Sequence, residues 1–144
     1  MIQDPPNLIF LMVTPEKKVA QMNNKENNIS DVVEIADCKV KLLKLNKSKV
    51  YTLFDSIYFM DLGEYIKNSF IIIESDFAIS LKINGVDILI NSSEVLDADV
   101  IQSVLVSDED LTLGGFMNTG EWLEIFIKRY KFSLNNVCAK NLGV

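Results

Sequence analysis

Histidine is absent from this chain, and that gap excludes more chemistry than any other. Without an imidazole the usual serine and cysteine triads cannot be assembled, and most zinc and iron sites lose a ligand. Neither a GxxxxGK[ST] nor a GxGxxG phosphate loop occurs. The two cysteines, Cys38 and Cys138, do not form a CxxC pair, so no zinc or redox motif is indicated and each reads as a small buried apolar residue. Proline is confined to Pro5, Pro6 and Pro15. Because proline removes a backbone donor, this asymmetry predicts an extended N-terminal arm followed by a body of paired strands. Near the start the longest apolar run is Leu8 to Val13, far short of the ~20 residues that span a bilayer. The basic stretch of a signal peptide is also missing there. These features predict a soluble protein that does not use a membrane and is released, if at all, by a route such as host-cell lysis.

What is present fits one globular domain. A chain of 144 residues with 49% apolar and 24% charged residues buries a core without staples. The formal charge of -6 disfavours nucleic acid as a partner. Residues 1 to 50 carry eight lysines against six acids, whereas residues 51 to 144 carry six basic against fourteen acidic residues. Halves of opposite sign can steer subunits head to tail, although a mixed solvated surface gives the same count.

Along the chain, Glu16 to Met22 suits a short helix begun by Pro15, and QMNNKENNIS (21–30) reads as a linker. An arm and linker over 1–31 thus precede a domain over 32–144. From Val32 onward the apolar period is two. Strands are predicted at Val32–Ile35, Lys39–Leu45, Val50–Phe54, Ile57–Met60, Val100–Val106 and Glu121–Tyr130. Phe70–Glu74, rich in β-branched residues, reads as a strand covered on both faces. Alternating runs on either side of Asn84-Gly85 mark a hairpin over Phe77–Ile90, because both turn residues must reach positive φ. In Glu121–Tyr130, Leu123, Ile125 and Ile127 share one face, and Trp122, Phe126 and Tyr130 the other. About eight short strands with polar turns and no βαβ alternation give an all-β fold, a β-sandwich or jelly-roll-like domain.

Candidate chemistry is sparse. Asp97 and Asp99 in SEVLDADV, and Asp108, Glu109 and Asp110 in VSDEDL, offer paired carboxylates for glycoside hydrolysis or calcium. Both clusters fall at predicted loops, where acids are solvated, and the order of a calcium loop is missing. Lys39, Lys41, Lys44, Lys47 and Lys49 form an acid-free run suited to phosphate, but without interleaved aromatics they read as edge-strand lysines. Gly114-Gly115 reads as a turn. Trp122, Tyr58, Tyr65 and Phe116 are aromatics of the kind that sugar sites expose. No catalytic, cofactor-binding or metal-ligating residue, and no small-molecule substrate, is assigned.

The order FIIIESD, LKINGVDI, VIQSVLVSD and GEWLEIFIKRY, within residues 64 to 130, resembles a β-sandwich module of tailed-bacteriophage virion proteins. The resemblance implies a non-enzymatic structural or assembly subunit of a phage particle (tail, neck, fibre or capsid-associated), located in the virion. Its partners would be further copies of itself, as a homo-oligomer, and other virion proteins. The expected interface residues are Leu8, Ile9, Phe10, Leu11, Met12 and Val13 of the arm, with Trp122, Phe126 and Tyr130 of the body. The alternative is a carbohydrate- or protein-binding β-sandwich module.

Overall fold

The structure, a computed structural model, describes residues 28 to 136. It is all-β apart from one helical turn, α1 (Ile29–Val32). The strands are β1 (Val33–Glu34), β2 (Cys38–Leu45), β3 (Lys49–Phe59), β4 (Glu64–Glu74), β5 (Ser80–Ile83), β6 (Val86–Ile88), β7 (Glu94–Leu96), β8 (Ala98–Ser107), β9 (Asp110–Met117), β10 (Trp122–Ile127) and β11 (Lys131–Asn136). They form one continuous antiparallel sheet in the order β11-β4-β3-β2-β8-β9-β10-β5-β6, with β1 added to β3 and β7 to β2. The sheet is folded over at the β2–β8 junction, so its two halves face each other across a single core, as in a sandwich.

Alternation explains which residues meet in that core. In β10, Leu123, Ile125 and Ile127 are buried while Trp122, Glu124 and Phe126 are half-buried on the outer face. Val50, Ile71, Ile73, Phe132 and Leu134 approach from the β3–β4–β11 half and join the same cluster. Burying one Leu or Ile side chain is worth about 1.5–3 kcal/mol, so this cluster is the main stabilising term. Phe70 and Ile72 are only half-buried, with Phe70 stacked on Tyr51 at 6.3 Å. β4 is thus fully buried on one face, not on both.

The Asn84-Gly85 hairpin is present as expected, with φ of 51° and 78° at the two turn residues. Its strands are shorter than the alternating pattern, ending at Ser80 and Ile88. Val50–Phe54 and Ile57–Phe59 are parts of one strand, β3, and Met60 lies in the turn after it. The expected strand Val32–Ile35 is shorter, Val33–Glu34, with Val32 closing α1.

Gly114-Gly115 is not a turn. Both glycines lie buried inside β9, and the stretch LTLGGFMNTG is a strand for most of its length. A β-carbon on Gly115 would sit 2.2 Å from the Val100 carbonyl oxygen, and one on Gly114 would sit 2.9 Å from Trp122 Cζ2. Here glycine serves close packing of backbone and indole, which a reading based on turn chemistry misses.

Three bulges shape the fold-over. The β2–β3 register slips between Val40 and Leu42, and the β8–β9 register slips between Ala98 and Val100 and again between Ile101 and Ser103. Each extra residue bends its strand and raises the local twist. Lys41, the extra residue of β2, reaches Asn68 Oδ1 at 2.5 Å and Asp55 at 3.6 Å. Those two residues sit where the β3–β4 ladder is itself interrupted, and Asn68 has a φ of 55°.

Candidate functional site

The acidic clusters are engaged in local structure. Asp99 pairs with Lys39 at 2.8 Å, and Asp97 accepts from the Asn118 amide at 2.7 Å. Asp110 accepts from the Arg129 backbone N–H at 3.1 Å, while Glu109 lies 3.4 Å from the Arg129 guanidinium. Asp108 holds the positive φ of the tight β8–β9 turn. Among the described residues no group of three His, Cys, Asp or Glu is placed to hold a metal ion. Lys39 and Lys41 both face acids or amides across strands, so the lysine run does not present a free cationic stripe at these two positions. The Asp99 carboxylate raises the Lys39 pKa by accepting its hydrogen bond.

Cys38 is buried as expected, 3.7 Å from the Ala36 carbonyl, and burial raises its thiol pKa. Cys138, the arm residues Leu8 to Val13 and the helix expected over Glu16 to Met22 lie outside the described residues.

The aromatic candidates separate into pairs. Phe116 and Trp122 meet edge to face at 5.0 Å on β9 and β10, both half-buried. Tyr58 and Tyr65 meet at 5.2 Å on β3 and β4, where Tyr65 is 66% exposed. Phe126 is half-buried beneath Lys82, whose ammonium lies 5.7 Å from the ring centroid. Tyr130 lies in the β10–β11 connection and turns toward α1. Its hydroxyl accepts the Ile29 N–H at 3.0 Å, its ring stacks on Phe132, and burial raises its pKa. Of the three body residues expected at an interface, Tyr130 therefore fastens α1 to the core, and Trp122 covers Gly114.

Leu42, Phe77, Val95 and Leu105 are exposed, and further exposed apolar side chains gather in two places. At the β3–β4 tip are Met60, Leu62 and Tyr65; along the edge strand β6 and just beyond it are Val86, Ile88 and Leu89, the last 75% exposed.

A groove of about 360 Å³ opens beside the first of these. One wall is α1, β1 and the following Ile35–Ala36; the other is Gln102, Ser103 and Val104 of β8. Ile29, Val33 and Ile35 are buried at its floor, and Met60 links it to the exposed hairpin tip. β8 pairs with β2 only at Val100 and Ile101, through Lys39 and Cys38. Beyond that point the Gln102 carbonyl still accepts the Asp37 N–H at 3.1 Å. Among the described residues no strand then pairs with the β1-facing edge of Ser103–Ser107. The groove is a place where the sheet has parted and left a strand edge open.

No protein-family model matches the chain, and no curated protein or solved structure matches it. Among the described residues no helix is long and apolar enough to cross a membrane. Sequence reasoning missed the groove because its walls come from residues 29–36 and 102–104, which are far apart in the chain and meet only in the fold.

Proposed function

We propose that this protein is a non-enzymatic assembly subunit, a β-sandwich that works through contact with other protein chains. The phage virion is the setting that the resemblance of residues 64 to 130 implies. The observation that carries the reading is the exposed apolar surface at the β3–β4 tip and along β6. Apolar edge strands are liabilities unless something covers them, and contiguous apolar patches on soluble proteins mark contact sites. The engagement of the acidic clusters in turns and ion pairs supports a non-catalytic role. Light scattering on the full chain, with and without residues 1 to 14, tests the reading. A defined oligomer that loses mass on truncation, with an unchanged circular dichroism spectrum, is expected. A monomer in both forms would refute self-assembly.

The exposed Tyr65 ring beside Tyr58 favours a second reading, a carbohydrate-binding module. Glycan-array binding that is lost on Tyr65→Ala would establish it, and no binding to any glycan would remove it. Trp122→Ala is a poorer probe, since it also uncovers Gly114.

A further inference from the structure

We infer that the groove between β1 and β8 receives the Leu8–Val13 segment of a second copy of the chain as an added strand. The inference rests on the assembly reading and names its acceptor. Three features of the molecule carry it. First, Ser103–Ser107 presents a strand edge with no described partner, and strand addition satisfies such an edge through backbone hydrogen bonds. Second, beneath a lining that also holds Ser30, Glu34, Gln102 and Ser103, the buried floor formed by Ile29, Val33 and Ile35 is apolar. LIFLMV is six uncharged apolar residues bounded by Pro5-Pro6 and Pro15, enough to span the five-residue open edge. Third, the chain enters the described body at Asn28, beside the groove wall at Ile29 and Ser30.

The connection is long enough to reach a second copy. Residues 14 to 27 number fourteen, whereas antiparallel neighbours are joined by about two to five residues. Fourteen residues reach roughly 46 Å when extended. A globule of this size is roughly 35 Å across, so the spacer can cross from one body to the same groove on its neighbour. The competing arrangement is closure on the chain's own groove, which the tether favours by effective concentration. The two arrangements differ in which chains become linked.

The test is photo-crosslinking from benzoylphenylalanine placed at Leu11 in the full chain. Unlabelled and heavy-isotope chains are mixed in equal amounts, unfolded and refolded together, and the linked peptides are mapped. Links from position 11 to the peptide holding Gln102–Val104, with mixed light–heavy pairs, are expected. Adding Ile9→Asp and Leu11→Asp to an otherwise native chain should weaken self-association by about tenfold or more, because a carboxylate cannot enter the apolar floor. Links only within light or only within heavy chains would overturn exchange between copies. An oligomer whose links fall elsewhere would overturn the groove while leaving the assembly reading intact. A monomer without links would overturn both.

Discussion

Replacing Gly115 with alanine is the sharpest perturbation the fold allows, because the obstacle is backbone. The new methyl would lie 2.2 Å from the Val100 carbonyl oxygen, 3.1 Å from the Ile101 Cα and 3.2 Å from the Val100 carbonyl carbon. Carbon atoms in contact sit about 3.5–4.0 Å apart, so β8 and β9 must separate by roughly 1 Å. Neither atom group can rotate away, and the ladder between Val100–Phe116 and Ile101–Gly115 has to stretch. Overpacking costs about 1–3 kcal/mol, and each weakened backbone hydrogen bond adds about 1 kcal/mol. The expected loss is about 3 kcal/mol, a Tm lower by about 10 °C for a domain of this size.

Gly85→Ala is the internal control. Nothing lies within 4 Å of its would-be β-carbon, so only the φ of 78° opposes alanine, at about 1–2 kcal/mol. Urea unfolding followed by circular dichroism measures both variants. If Gly115→Ala costs no more than Gly85→Ala, the close approach of β8 to β9 does not constrain the protein and the reasoning fails.

Asn84→Ala should cost about 1–2 kcal/mol, since Asn84 supplies a positive φ and its side chain accepts the Trp122 backbone N–H at 2.8 Å. Asn84→Gly relieves the backbone part, and urea titration of both separates the two contributions. Thr52→Val should stabilise by about 0.5–1 kcal/mol, because the buried Thr52 hydroxyl has no hydrogen-bond partner among the described residues and valine keeps its shape; a loss of stability would mean that the hydroxyl is satisfied. Tyr130→Phe should cost about 1–2 kcal/mol and speed exchange of the Ile29 amide, whose acceptor it removes. Cys38, Lys39 and Tyr130 all have raised pKa values in the fold. The unfolded chain then releases protons first as pH rises, so stability holds below about pH 8.5 and declines through pH 9–11. Tm measured against pH should show that decline, shallower in Tyr130→Phe.

The parts of this fold that were legible in the sequence are those where side-chain period decides. Leu123, Ile125 and Ile127 announce one face of β10, and Asn84-Gly85 announces a turn because few other pairs accept two positive φ values. β9 was hidden because its glycines carry no hydrophobic signal; Leu111, Leu113 and Met117 are buried around them, and only the nearby Trp122 hints at a partner for the missing side chains. β11 is short, and its apolar pattern rests on Phe132 and Leu134 alone. α1 lies mostly in the stretch read as a linker, where the sequence gives no sign that a contact about a hundred residues away, Tyr130 Oη to the Ile29 N–H, holds its first residue. Among the acids, Asp99 and Asp110 read as loop residues yet lie in strands, where Lys39 and the Arg129 amide engage them.

The groove follows from where the bulges fall. β2 and β8 share one antiparallel register, with Cys38 opposite Ile101 and Leu43 opposite Leu96 of β7, so the β7–β8 run tracks β2 as a single neighbour. Two extra residues in β8, Asp99 and Gln102, flank the only pairs that β8 makes with β2. Asp99 is held by Lys39, and the Gln102 carbonyl by the Asp37 N–H at the turn between β1 and β2, where Asp37 has a φ of 53°. Past Gln102 the strand is bent away from β1 while still fully paired to β9. β1 meanwhile stays on β3, Val33 opposite Phe59. A strand held on opposite halves of a folding sheet must part from its neighbour, and the open edge of Ser103–Ser107 is the result. The same bulge that lets one sheet fold into two layers therefore leaves the strand edge open, so in this protein the fold-over and the groove are one structural feature.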